Sequence, residues 1–454
     1  MPALLRRGAL RLYDLAAGRR ILTRFDELNR TQWLGRDELL ALQRDKLQRL
    51  VEYAYQYVPY YRRTFDQVGF RPDNLRQDPT SFQKIPIVTK EDMRDHPDEF
   101  LTTDPAIRKT LHTHSTSGST GVPLVYQEDH NNRDYVTADI LRHMTWCGWR
   151  LGEPHAYLWG RSSESSVFHR LRMWLMDCAL NRFVVDAYIL SDDKLDRLVR
   201  RIRQYHSQLL FGYTSALFVF AQFAQRNRLN DIKFRGVYSA GEVLYPYQRK
   251  LLEDTFGCQV FNRYAALEVG GIACECEAHT GMHISTENCY VEIVQGDTPI
   301  EGEQPGEIIV TNLNNFGFPF IRYRLADLVQ RRAQECSCGR QSPMLEHVQG
   351  RTVDIFRTTS GVAVWGDFAL FEVPGIKQYQ VVQKAIGLIV VRIVKDDALQ
   401  QVALDSIEHS IQQMMGNDTR VQFEFPDDLP RSNAGKYRYT YSEIYKSRSV
   451  RDDF

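Results

Sequence analysis

Nine consecutive residues, Ser115, Thr116, Ser117, Gly118, Ser119, Thr120, Gly121, Val122 and Pro123, concentrate hydroxyls and glycines as no helix or strand interior does. Serine and threonine compete there for backbone hydrogen bonds, and glycine loses too much entropy on ordering. Such a run suits anion binding. Small residues let backbone N–H groups converge on phosphate oxygens, and the hydroxyls add donors. No Gly-Lys-Ser/Thr closes the run, so it is not a Walker loop. Thiols and imidazoles form the second chemical signal. Cys274, Cys276, His279 and His283 crowd one segment, and Cys336 and Cys338 another. Together they offer more soft ligands than the four that tetrahedral Zn²⁺ needs, with Gly281 and Gly339 supplying tight turns. The alternative is a set of reduced thiols without metal.

Four further clusters follow the hydroxyl run in order. They are Ser239-Ala240-Gly241-Glu242; Tyr264-Ala265-Ala266-Leu267-Glu268; Arg322-Tyr323-Arg324-Leu325-Ala326-Asp327 with Gly350-Arg351-Thr352-Val353-Asp354; and Arg431-Ser432-Asn433-Ala434-Gly435-Lys436. The whole series resembles the motif order of the adenylate-forming acyl/aryl acid ligases. Five ordered matches over roughly 320 residues are hard to obtain by chance. A narrower resemblance, to the phenylacetate–CoA ligase-like branch that includes capsule-biosynthesis (CapK-like) proteins, is carried by Tyr57-Val58-Pro59-Tyr60-Tyr61 and the Cys-x-Cys pairs.

The resemblance implies ATP-dependent activation of a small-molecule carboxylic acid as acyl-adenylate, then transfer to a thiol, most simply CoA. It implies phosphate binding by Ser115, Thr116, Ser117, Gly118, Ser119, Thr120 and Gly121, and an adenine-side turn at Ser239, Ala240, Gly241 and Glu242. Tyr264 would stack on adenine, Glu268 would hold Mg²⁺, Asp327 the ribose hydroxyls, and Arg351 ribose or phosphate. Lys436 would meet the α-phosphate during adenylation and withdraw for thiol transfer. The same resemblance narrows the zinc ligands to Cys276, His283, Cys336 and Cys338, a filled and therefore structural site, with Cys274 and His279 in reserve. Two positions depart from the family pattern. Ala265 stands where a glycine is expected, and Leu267, in place of a hydroxyl residue, brings no hydrogen bond to phosphate. Two other readings stand beside the ligase: adenylation with an amine or hydroxyl acceptor in cell-surface polysaccharide biosynthesis, and a non-catalytic zinc-stapled binding protein on a ligase scaffold.

Positioning these groups falls to a chain of 454 residues, beyond the size at which one core stops growing, so two or more domains are expected. The composition, 43% hydrophobic and 25% charged, is that of a globular protein. Lys+Arg and Asp+Glu both number 57, which gives no electrostatic footprint for nucleic acid. Apolar runs such as Ala385–Val391 are too short to cross a bilayer, so a soluble chain is expected, with the cytoplasm as its expected location. The first 25 residues, with Arg6, Arg7, Arg11, Arg19 and Arg20 among leucines, read chiefly as a helix lying on its own protein. Peripheral membrane contact and a transit peptide are the alternatives, and a homodimer is the candidate assembly.

Apolar residues at helical spacing predict a helix over 37–58, stopped by Pro59. From 155 to 330, short β-rich runs alternate with helical stretches, which predicts layered parallel sheets. After 285 the strand-rich text predicts a small antiparallel or barrel-like β subdomain. A strand near 387–394, a helix near 403–415 and a strand near 420–425 follow. The fold expected is α/β: a large N-terminal adenylation domain, residues 1–353, and a small mobile α+β lid, residues 354–454. Cys147, Cys178, Cys258 and Cys289 read as buried or half-buried thiols.

Overall fold

The computed structural model describes residues 3–115, 124–160, 167–187, 190–351, 355–360, 363–365, 370, 373–429 and 440–444. Thr116 to Gly121, Thr352 to Asp354 and Lys436 lie outside the described residues. The chain forms two compact units. One holds the residues up to Leu325 together with Val329–Val348; the other holds Ala326–Leu328 and everything from Gln349.

The first unit is built on a twelve-stranded sheet. Its parallel half runs in the order Arg182–Val185, His155–Leu158, Leu209–Tyr213, Gly236–Ala240, Gln259–Ala266. The strands His155–Leu158, Leu209–Tyr213 and Gly236–Ala240 are buried at every residue, the expected state of strands covered on both faces. Helix Thr214–Arg226, apolar on most sides, packs among them and buries Leu217, Phe220 and Phe223. Beyond Gln259–Ala266 the sheet continues antiparallel through Gly270–Glu275 and Met282–Ile284. The strand-rich stretch after 285 is hydrogen-bonded into this same sheet: Cys289–Gln295 pairs antiparallel with Gly306–Asn312, and Met344 pairs with His283.

Local rules explain the main helices. Helix Arg36–Tyr57 starts with Glu38 reaching back to the Gly35 N–H and ends where Pro59 forces Val58 into extended backbone. It buries Leu39, Leu47, Leu50, Val51 and Ala54. The tyrosines around Pro59 pack as core: Tyr61 is fully buried, and Tyr60 stacks on Phe100 at 3.9 Å. At the N-terminus, helix Ile21–Thr31 lays Ile21, Phe25 and Leu28 against the rest of the chain, and Arg19 is ion-paired with Asp134 of helix His130–Trp146. The preceding helix, Ala3–Ala17, is attached less completely and leaves Leu12 and Leu15 exposed.

Cys147 and Cys289 are buried and Cys258 is half-buried, but Cys178 is exposed, contrary to the reading of its apolar neighbourhood. It sits on the outward stripe of helix Val167–Leu180 with Leu171, Trp174 and Leu175, which are exposed as well.

The second unit pairs Ile376–Ala385 with Leu388–Lys395 as an antiparallel hairpin. Thr440–Ser442 and Arg420–Glu424 flank it as parallel edge strands. Helix Gln401–Met415 closes one face through Ile407, Ile411 and Met415, over a core that includes Val381, Ile389 and Val391. No helix among the described residues is long and apolar enough to cross a membrane.

Candidate functional site

His112–Ser115 and Val125–Glu128, on either side of the hydroxyl- and glycine-rich run in the sequence, pair antiparallel as a hairpin, with Ser115 opposite Val125. Tyr126, buried in the second strand, donates its phenol O–H to the carbonyl of Leu267 at 2.6 Å. Burial first, and the carboxylates of Glu128 and Glu268 after it, push this phenol well above its ordinary range, so it stays a donor. The hairpin is thereby tied to the turn that carries Tyr264 and Glu268. Tyr264, Ala265 and Ala266 end the strand Gln259–Ala266, with a register irregularity between Tyr264 and Ala265. Glu268 is half-buried, while the Leu267 side chain is 55% exposed. Leu267 thus contributes through its backbone carbonyl, a role no side-chain pattern predicts.

Below the hairpin, His112 Nε2 and His130 Nε2 lie 3.0 Å apart with the rings stacked. Burial, with Arg133 the next cause, lowers His112 to about 3, which keeps its imidazole neutral.

The turn Ser239-Ala240-Gly241-Glu242 leaves the carboxyl end of a central parallel strand, where open α/β sheets place their ligands. Gly241 has φ +85°, a conformation that side chains rarely adopt. Ser239 is fully buried, its hydroxyl 2.8 Å from Thr214 Oγ1. The Glu242 carboxylate accepts from the Ser215 N–H at 2.6 Å and the Ser215 hydroxyl at 3.0 Å, stabilising the start of helix Thr214–Arg226. Thr214 and Ser215, which the sequence reading passed over, therefore shape this turn. Trp159 stacks on Tyr213 at 4.0 Å at the same edge, whereas Tyr238 is fully buried against Phe211 and belongs to the core.

In the Arg322-to-Asp327 segment the first arginine is a latch. Arg322 is buried, has φ +49°, holds both oxygens of Glu292 at 3.0 Å, and donates to the carbonyls of Gln83 and Ile85. Asp327 is half-buried, next to Ala326 at φ +59°. Two left-handed non-glycine residues in six is backbone strain of the kind that collects at functional segments. Arg351 ends the strand Met344–Arg351; its side chain is outside the described residues.

The thiols and imidazole form a second centre. One ligand atom each from Cys276, His283, Cys336 and Cys338 lies within 4.8 Å of the others. Cys276 Sγ is 3.5 Å from Cys336 Sγ, and Cys338 Sγ is 3.3 Å from His283 Nε2. His283 Nδ1 meets the Ser342 hydroxyl at 3.0 Å, the outer-shell bond that orients a metal-ligating imidazole. Burial, then Arg340, lowers His283 to about 4, so the ring is neutral. The Ala278 and Arg340 N–H groups donate to Cys276 and Cys338 sulfur, each at 3.5 Å, and Gly339 turns the second knuckle at φ +89°. The donor set suits four-coordinate Zn²⁺ with no position left for water. Cys274 and His279 lie apart from it: Cys274 points toward Tyr238, and His279 packs on Phe261 beside Glu275. Arg340 also clamps the region, donating to Gln32 and Glu277 while its guanidinium sits over Trp33 and Trp146.

Comparison with known proteins fits this geometry. Residues 368–443 match the family model described as the CapK C-terminal domain. The chain is 26% identical to a phenylacetate–coenzyme A ligase of Thermus thermophilus over 439 residues, covering 89% of this chain and 96% of the relative. It is 20% identical to Protein CapK of Staphylococcus aureus, covering 90% of each. Its fold matches the crystal structure of 2-hydroxyisobutyryl-CoA ligase in the postadenylation state in complex with 2-HIB-AMP, with a TM-score of 0.74, 21% identity and 92% of each chain covered. The chain is thus similar over most of its length to phenylacetate–CoA ligases and to Protein CapK, and it shares the fold of an adenylate-forming CoA ligase.

Proposed function

We propose that this protein uses ATP to activate a carboxylic acid as acyl-adenylate and passes the acyl group to the thiol of CoA. The observation that carries the reading is the Tyr126–Leu267 tie, which holds the phosphate-type loop and the Glu268 turn in one framework. A carboxylate oxygen attacks the α-phosphorus as the bond to the bridging oxygen breaks and pyrophosphate leaves. In the second step the CoA thiolate attacks the acyl carbonyl and AMP departs. Ser115 and the loop Thr116 to Gly121 cradle phosphate oxygens; the turn Ser239–Glu242 and Tyr264 hold adenine; Asp327 and Arg351 hold ribose and phosphate. Glu268 would hold Mg²⁺, which when bound neutralises phosphate charge. Lys436, on a lid formed by residues 354–454, offsets charge at the α-phosphate while residues 1–353 bind the substrates. Cys276, His283, Cys336 and Cys338 would hold a structural Zn²⁺ that staples two distant segments. Both nucleotide and CoA are cytoplasmic substrates, consistent with a cytoplasmic enzyme.

A second reading keeps the adenylate but gives the acyl group to an amine or hydroxyl in cell-surface polysaccharide biosynthesis. It is favoured by the CapK likeness, which extends to the C-terminal match. Acid-dependent ATP–pyrophosphate exchange across aryl, fatty, hydroxy and amino acids tests adenylation, and product analysis with and without CoA separates the acceptors. No exchange with any acid would overturn both.

A further inference from the structure

We propose that helices Ala3–Ala17 and Val167–Leu180 together form a docking patch for a bilayer surface bearing anionic lipid, a property beyond the ligase reading, no step of which needs a membrane. The helices pack against each other, and Arg6 near the start of the first hydrogen-bonds the carbonyl of Cys178 near the end of the second. Each turns one stripe outward. On the first, Leu12 is 68% and Leu15 74% exposed; on the second, Leu171 is 51%, Trp174 59% and Leu175 47% exposed. Five large apolar side chains on two adjoining helices far exceed the scattered exposure of an ordinary surface.

The charges beside the stripes choose the occupant. Arg11 and Arg170 are exposed, and among the described residues no carboxylate pairs with either. The nearby acids are spent: Asp14 and Asp177 are buried, Asp177 pairs with Arg182, and Asp26 pairs with Arg7. Leucines and a tryptophan between unneutralised arginines are the make-up of an interfacial helix, whose apolar face enters the headgroup boundary while its cations meet anionic lipid. A second copy of this chain fits worse. A two-fold interface through this patch would gather Arg11 and Arg170 from both copies into one buried surface with, among the described residues, no free carboxylate to offset them.

Full-length protein should co-sediment with vesicles containing roughly 30 mol % phosphatidylglycerol, but not with pure phosphatidylcholine, and ~0.5 M salt should release it. Two variants test the patch, Leu171→Ser/Trp174→Ser for its apolar part and Arg11→Glu/Arg170→Glu for its charge. Each should weaken vesicle binding about tenfold or more while the thermal unfolding curve stays in place. If one pair fails to fold, the other decides. The proposal is overturned if the unmodified protein ignores anionic vesicles, if both folded variants bind as well as it does, or if these substitutions abolish a dimer instead.

Discussion

The Tyr126 phenol and the Leu267 carbonyl, 2.6 Å apart, join two segments separated by 141 positions in the sequence. Through this bond the strand that closes the hydroxyl-rich loop is anchored to the turn that ends in Glu268. Tyr126→Phe keeps the ring and removes the donor. It should cost about 1 kcal/mol of stability and slow ATP–pyrophosphate exchange at least several-fold, with the acid's KM little changed. Exchange at the unmodified rate would separate the bond from catalysis.

Glu268→Gln and Lys436→Ala should both damage adenylation, each by about 10²-fold by analogy with loss of a single oxyanion donor. They should part company in the second half-reaction. Transfer from a supplied acyl-adenylate to CoA should survive largely intact in Lys436→Ala, because the lysine is assigned to the lid position used only in the first step. Equal loss in both half-reactions would remove that role from Lys436.

Cys338→Ser deletes one of four converging ligand atoms. Purified wild-type protein should contain about one zinc per chain by elemental analysis. The variant should lose it, and its Tm should fall by roughly 5 °C or more. Exchange measured well below that Tm should change little, since a filled four-ligand site leaves no place for substrate. Wild-type protein that purifies without zinc, with a Tm that Cys338→Ser leaves unchanged, would sink the assignment.

Acid should destabilise the fold in part through His155. Its ring is fully buried between Trp149 and Tyr157, and burial lowers it to about 3. The folded value is depressed below the ordinary 6.5, so as pH falls through 6.5 the unfolded chain takes up a proton that the folded chain refuses. Stability is complete above that value and is lost downward toward 3, about 2 kcal/mol from this residue at pH 5. His155→Phe should flatten the fall in Tm between pH 7 and pH 5. An unchanged slope would assign the acid sensitivity to other residues.

Much of the scaffold was legible because it rests on local rules. Leu209–Tyr213 followed by Thr214–Arg226 shows as an apolar run switching to helical spacing, and Pro59 marks a helix end wherever it stands. Contacts made by groups without a distinctive spacing were not legible. Leu267 acts through a carbonyl that every residue has, and Arg322 finds Glu292 across 30 positions of chain. The bond of the Glu242 carboxylate to Ser215 on the neighbouring helix carries no spacing signal either. Cysteine spacing left six soft ligands open; which four converge depends on how strand Met282–Ile284 pairs with Met344–Arg351, a tertiary outcome. Cys178 was misplaced because apolar neighbours in sequence can all face solvent when a helix offers them on one stripe.

The four converging ligands also impose an order on biosynthesis. Cys276 and His283 emerge from the ribosome well before Cys336 and Cys338, which are supplied by a segment 60 positions later in the chain. A nascent chain stalled before Cys338 has three of the four donors, and one stalled before Cys336 has two. The parallel strands from His155 to Ala266 are complete by then and can pair without waiting. The last strands of the large sheet are joined to it only once the second knuckle has been made. The second unit from Gln349 onward is still to be made after Cys338, so a metal bound by these four residues would fasten the second knuckle while synthesis continues, and metal scarcity would leave a population whose early half is folded and whose late half is not yet fastened.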